Sequence, residues 1–105
     1  MPKFAFDLGG VIIDKPTRSI DGEALNTVKS VVEKYGPSNV YIISKARNKW
    51  IKLNNLRLLK YRFFEITKMP KENLFYVDEY TDKEFLCQKL GIDYMIDDSI
   101  KVIRA

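Results

Sequence analysis

The stretch Phe4-Ala5-Phe6-Asp7-Leu8-Gly9-Gly10-Val11-Ile12-Ile13-Asp14 decides how the rest of the chain is read. An apolar run too short for a helix ends on an acid, and two glycines follow almost at once. Such a strand delivers a carboxylate to its C-terminal tip and then turns sharply. Ligands of open α/β sheets bind just outside the carboxyl ends of the strands, so Asp7 is a candidate site residue. The plain alternative is a solvated acid at a strand-to-loop turn.

Outward from this run, strands and helices alternate. The pattern predicts a strand over Lys3–Leu8, a loop from Gly9 to about Ser19, and a helix from about Asp21 to Tyr35. Ala24, Leu25, Val28, Val31 and Val32 form the apolar stripe of that helix, and Gly36-Pro37 stops it. Val40-Tyr41-Ile42-Ile43 is a second strand, ending at Ser44. A long basic helix is expected from about Ala46 to Leu59, with Trp50, Leu53, Leu56 and Leu59 on its buried side. Phe63 and Phe64 follow in a connection where they plug the core. Leu74–Val77 is a third strand ending at Asp78, Lys83–Leu90 a helix, and Tyr94-Met95-Ile96 a fourth strand ending at Asp97-Asp98. Strands alternating with helices imply βαβ units, hence a layered α/β sandwich with a mostly parallel sheet of about four strands.

The whole chain, 1–105, reads as one domain of 46% apolar residues, enough for a modest core. No apolar stretch approaches the roughly 20 residues of a membrane span, and Met1-Pro2-Lys3 runs straight into the first strand with no signal peptide. A single cysteine, Cys87, excludes an internal disulfide and fits a reducing, cytoplasmic compartment. It reads as buried filler in the last helix. The chain has no histidine, which removes His-based triads and most zinc sites. Acid–base and metal chemistry must come from carboxylates, lysines and hydroxyls.

The net charge is +4, and its distribution matters more than its size. Lys45, Arg47, Lys49, Lys52, Arg57, Lys60 and Arg62 succeed one another with no acid among them. Such a block attracts phosphorylated substrates, nucleic acid or an acidic partner, unless it serves only as a solvated face.

A parallel sheet lines its C-terminal tips along one edge, so Asp7, Ser44, Asp78 and the Asp97-Asp98 pair are expected to converge. Carboxylates without an imidazole make a hard-oxygen site of the kind Mg²⁺ prefers. A carboxylate can also attack phosphorus to give an aspartyl-phosphate, if cations offset the repulsion between anions. A Lys and a Ser hydroxyl near the phosphoryl oxygens supply transition-state electrostatics. Ser44 and Lys83 stand where such helpers are needed.

This order resembles the haloacid dehalogenase (HAD) superfamily of Rossmann-like hydrolases, mostly Mg²⁺-dependent phosphatases. Asp7 in Phe-Asp-Leu-Gly-Gly-Val-Ile-Ile-Asp matches the first motif, whose leading Asp is nucleophile and metal ligand. Ser44 in Val-Tyr-Ile-Ile-Ser-Lys matches the second, a phosphoryl-binding Ser or Thr. Lys83 resembles the third, a Lys preceding a Leu-Gly-Ile helix end, and Asp97-Asp98 in Tyr-Met-Ile-Asp-Asp-Ser matches the fourth, the acidic pair of the Mg²⁺ site. The match covers nearly the whole chain in order. The resemblance implies catalytic roles for Asp7 and Lys83, substrate contacts at Ser44, Lys45 and Gly10, and a Mg²⁺ site formed by Asp7, the Gly9 carbonyl, Asp97 and Asp98.

Three departures stand out. Gly9 occupies the place where the family's phosphatases usually carry a second Asp as general acid; Asp14 could replace it only if the loop folds back. The spacings leave no room for a cap domain, which implies an open site suited to bulky or macromolecular substrates. The chain also reaches Ser99–Ala105 about where a fifth strand would follow, leaving the fourth strand as an exposed edge open to pairing in a homodimer. The leading expectation is therefore a capless phosphatase acting through an aspartyl-phosphate. Its first rival is a catalytically silent module binding a phosphorylated, nucleic-acid or acidic partner through the basic helix. A receiver-type domain fits least, since it wants its acidic pair on the first strand.

Overall fold

Successive residues of a strand point to opposite faces of the sheet, and in this chain both faces meet apolar layers. The structure, a computed structural model, describes residues 1–97 and the backbone of Val102–Arg104. Strands β1 (Phe4–Phe6), β2 (Val40–Lys45), β3 (Leu74–Val77) and β4 (Tyr94–Ile96) run parallel in the order β3-β2-β1-β4. Helices α1 (Gly22–Tyr35), α2 (Asn48–Lys60) and α3 (Phe63–Thr67) cover one face, and α4 (Tyr80–Leu90) covers the other. Phe6, Val40 and Ile42 pack with Val28 and Val32 of α1, Leu58 of α2 and Phe63 of α3. The intervening residues Ala5, Tyr41 and Ile43 pack instead with Met95 and with Cys87 of α4. Burial on both faces is what a parallel sheet requires, and the result is a Rossmann-like three-layer α/β sandwich.

Local signals set the boundaries of α1. The Asp21 carboxylate accepts from the Glu23 N–H at 2.9 Å as its N-cap. At the other end Gly36, at φ 95°, turns the chain away while its N–H still reaches the Val32 carbonyl. The expected strands at Leu74–Val77 and Tyr94–Ile96 coincide with β3 and β4. Phe63 is fully buried as a core plug, although its segment is a short helix rather than a plain connection.

Two expectations are overturned. The fourth strand is not an edge: β5 (Val102–Arg104) pairs antiparallel with β4, Met95 opposite Ile103, so the edge of the sheet on that side is β5. The second concerns α2, whose expected buried stripe faces water. Trp50 is 40% exposed, Leu53 37%, Leu56 61% and Leu59 67%, whereas Leu58 is buried. Residues three apart drift about 60° around a helix per step, so this stripe crosses from one side to the other and cannot be buried on one face. Leu58 is the residue of α2 that packs in the core, and Ile51, seven residues earlier, is half-buried. Burial of Leu58 in the core marks the rotation of the helix, and with that rotation the Tyr76 hydroxyl donates to Asn55 Oδ1 at 2.8 Å.

No helix among the described residues is long and apolar enough to cross a membrane.

Candidate functional site

The end of β1 carries Asp7, and three separate elements supply its partners. Ser44, near the end of β2, is 3% exposed and donates its hydroxyl to Asp7 Oδ1 at 3.1 Å. The Leu8 N–H donates to the same oxygen at 2.7 Å. Lys83, in the first turns of α4, brings its ammonium to 3.2 Å from Asp7 Oδ2. Both side chains of that ion pair are largely buried, at 10% and 16% exposure. Each carboxylate oxygen therefore has a donor, and the carboxylate orientation is fixed.

Lys83 is an expensive residue where it stands. A cation near a helix N-terminus opposes the helix dipole, and a Lys is almost never buried unless paired. Helix α4 does not need it, since Glu79 and Asp82 form a reciprocal capping box at that end. What Lys83 serves is Asp7. Lys89, by contrast, is exposed in the last turn of α4.

The turn after Asp7 follows from its glycines. The Leu8 carbonyl accepts from Ile12 and Ile13 at 2.9 and 2.8 Å, closing a tight turn that buries Leu8, Ile12 and Ile13. Gly10 sits at φ 79°, which a residue with a side chain adopts only under strain; its expected substrate contact is carried by backbone alone. Gly9 lies outside the left-handed region, and a Cβ built there meets nothing within 4 Å. Its lack of a side chain is not forced by space.

Other expected site residues go elsewhere. Lys45 is exposed, its ammonium 4.6 Å from the ring centre of Tyr80. Asp78, at the end of β3, is drawn to the surface by Arg47 at 2.5 Å, and Glu79 joins at 2.7 Å. These carboxylates, Asp78 first, hold the Arg47 guanidinium above its ordinary pKa. Asp14 is spent on its own turn, accepting from the Thr17 hydroxyl at 2.7 Å and the Thr17 N–H at 3.1 Å. Those bonds push its pKa down, the hydroxyl most, so it remains ionised and makes a poor proton donor. Burial raises the Cys87 thiol, with Lys83 opposing and Glu84 adding to the shift, which suits filler rather than a nucleophile. Burial also pushes Tyr76 up to about 12.

Asp97 follows β4 directly, beside the end of β1, where the Asp7 N–H donates to the Ile96 carbonyl at 2.8 Å. Asp98 lies outside the described residues. Asp7, Asp97 and the Gly9 carbonyl are all hard oxygen donors, the set Mg²⁺ takes when waters and a phosphate complete its shell. Among the described residues no group of three or more acid, His or Cys side chains gathers as a metal cage; an ion here would rest on two carboxylates and a carbonyl. Oxygen donors of these types are what a cation that keeps several waters accepts.

The backbone N–H of Leu8 escaped the sequence reading, because no side-chain letter encodes it. The Arg47–Asp78 contact was legible only as two opposite charges near neighbouring strand ends. A cleft of about 490 Å³ lies between the start of α2 and the end of β3, lined by Arg47, Asn48, Ile51, Tyr76 and Asp78. Asp7, Ser44 and Lys83 do not line it.

No family model matches the chain, and neither a curated protein nor a solved structure matches it. The functional reading rests on the residues themselves.

Proposed function

We propose that the chain is a Mg²⁺-dependent phosphohydrolase working through an aspartyl-phosphate, as its resemblance to HAD phosphatases implies. The observation that carries the proposal is the Asp7 carboxylate held between the Ser44 hydroxyl and the buried Lys83 ammonium. An acid kept at a strand tip by two groups suited to phosphoryl oxygens is an arrangement for phosphoryl transfer. A bound Mg²⁺, on Asp7, the Gly9 carbonyl and the Asp97-Asp98 pair, would neutralise phosphoryl charge.

The remaining steps belong to the chain's own residues. An Asp7 oxygen forms a bond to phosphorus while the bond from phosphorus to the leaving oxygen breaks and that oxygen takes the electron pair. Ser44 and Lys83 turn from the carboxylate to the phosphoryl oxygens and stabilise the charge spread over them. Water then attacks the phosphorus of the acyl phosphate, releasing inorganic phosphate and restoring Asp7. The site has no cap in sequence, so bulky phosphorylated substrates are admitted.

Gly9 favours a second reading. Gly9 lacks an acid and Asp14 is ionised in its own turn, so neither of these two positions supplies the family's usual proton donor. A module that holds a phosphorylated, nucleic-acid or acidic partner without turning it over needs no donor. Hydrolysis of p-nitrophenyl phosphate with and without Mg²⁺ separates the two, because that leaving group departs without a proton. Mg²⁺-dependent turnover that Asp7→Asn removes supports the enzyme. A Mg²⁺-induced rise in melting temperature with no turnover supports the silent module. If that rise is unchanged in both Asp7→Asn and Asp97→Asn, the metal is held elsewhere.

A further inference from the structure

The exposed side of α2 mixes apolar and cationic side chains in a way that neither the fold nor the Asp7 site uses. At about 100° per residue, Leu53, Leu59, Lys49, Lys52 and Lys60 all project within about 60° of Leu56. Leu58, the buried residue, points the opposite way. Leu56 and Leu59 are 61% and 67% exposed; Trp50, about 120° round the helix from Leu56, borders this face beyond Leu53, with the Arg18 guanidinium 4.8 Å from its ring centre. Among the described residues no carboxylate pairs with Lys49, Lys52 or Lys60; the ion pairs formed by this basic segment belong to Arg47 and Arg62. Exposed leucines clustered on one helix mark an interaction surface.

The charge pattern selects the occupant. Nucleic acid would satisfy the lysines but leave the leucines facing a polyanion. Helices that lie on membranes separate a cationic face from an apolar one, and here lysines stand between the leucines, so inserting the leucines would drag ammonium groups toward hydrocarbon. The same face of a second copy would bring like charges together. A helix with its own apolar stripe flanked by Asp or Glu satisfies both sets at once, leucine against leucine and carboxylate against ammonium.

We propose that the outer face of α2 docks an acidic amphipathic helix of a protein partner. The inference does not rest on phosphatase activity, and Asp7→Asn is expected to leave docking intact.

The test uses a synthetic amphipathic helix of Leu, Glu and Ala, its scrambled isomer, phosphatidylserine vesicles and a DNA duplex as probes. Trp50 is the only tryptophan and borders this face next to Leu53, so its emission reports contact at that border. The helical peptide should shift that emission to the blue with a dissociation constant in the micromolar range, on the order of −8 kcal/mol, and the scrambled peptide should not. Leu56→Ser with Leu59→Ser should weaken binding at least about tenfold, and so should Lys49→Glu with Lys52→Glu and Lys60→Glu. These side chains are exposed, so melting temperatures serve as the folding control. Equal binding of the scrambled peptide, no binding of the helical one, or insensitivity to both variant sets overturns the proposal. Vesicle binding lost with the leucines replaces it with a membrane surface, and duplex binding lost with the lysines alone replaces it with nucleic acid.

Discussion

Two ion pairs stand at strand ends of one sheet, and they differ in what surrounds them. Lys83–Asp7, at the end of β1, spans 3.2 Å with both side chains largely buried. Arg47–Asp78, at the end of β3, is shorter at 2.5 Å, yet its side chains are 59% and 66% exposed. Distance alone would rank the second as the stronger contact. Burial reverses the order, because water and salt screen the exposed charges while the buried pair interacts at lower effective dielectric. The difference also separates roles. A protein that desolvates a lysine in the first turns of a helix gains little stability by it, so the arrangement points to function, whereas the Arg47 contact needs no function to explain it.

The largest expected effect breaks the comparison at its functional end. Asp7→Asn should abolish p-nitrophenyl phosphate turnover in the presence of Mg²⁺, since an amide is not the nucleophile. Asp78→Asn, read in the same assay, should leave the rate within about twofold, surface substitutions of this kind being small in effect. Comparable losses at both positions would place chemistry at the end of β3 as well.

A gain of function follows in size. A Cβ at Gly9 has open space and an ordinary φ, so Gly9→Asp should fold normally. In a Mg²⁺-binding protein it should raise turnover of simple alkyl phosphates by up to the roughly 10²–10⁴-fold typical of general acids. On the phosphatase reading, the wild-type chain, without an acid at Gly9, should prefer aryl or acyl phosphates. A wild type that hydrolyses alkyl and aryl esters equally well, with no gain from Gly9→Asp, would mean that another group already donates the proton.

The architecture was legible because β1 to β4 are short apolar runs punctuated by glycine, proline and acids, and the length of such runs distinguishes strand from helix. The Asp7, Ser44 and Lys83 meeting was legible for the same reason, as each residue lies at or near a strand end or helix start. What was hidden depends on long-range choices. The pairing of β5 with β4 joins Val102, Ile103 and Arg104 to Ile96, Met95 and Tyr94 in an antiparallel register, a choice of partner that no local pattern encodes. The rotation of α2 goes with the packing of Leu58 against residues of other elements, while the local leucine spacing suggested another face. Asp78 looked like a member of the site until Arg47 claimed it.

The third prediction measures the contrast itself. Double-mutant cycles with Asp7→Asn and Lys83→Met, followed in urea, should give a coupling of about 0.5–3 kcal/mol, the range for residues sharing one network. The Asp7 side chain keeps its Ser44 and Leu8 donors in the Lys83 variant, which holds the value below that of a fully orphaned buried charge. Lys83→Met should also abolish turnover, while Lys89→Ala should alter neither rate nor stability appreciably. Activity that survives Lys83→Met but not Lys89→Ala would reassign the lysine.

The smallest effect belongs to the exposed pair and sharpens the comparison most. A cycle with Arg47→Met and Asp78→Asn should give a coupling well below that of the buried pair, as is usual for surface ion pairs. Glu79 also accepts from Arg47, so the Asp78 variant leaves half of the contact in place and the coupling is smaller still. The decisive measurement is its salt dependence. At about 1 M salt the Debye length falls to about 3 Å, comparable to the contact itself, so the Arg47–Asp78 coupling should fade while the Lys83–Asp7 coupling largely persists. If both couplings fade together, Asp7 is open to bulk solvent and the desolvated site inferred from its burial is wrong. If neither fades, the Arg47 contact is sheltered in solution, and the end of β3 deserves the functional tests applied to Asp7.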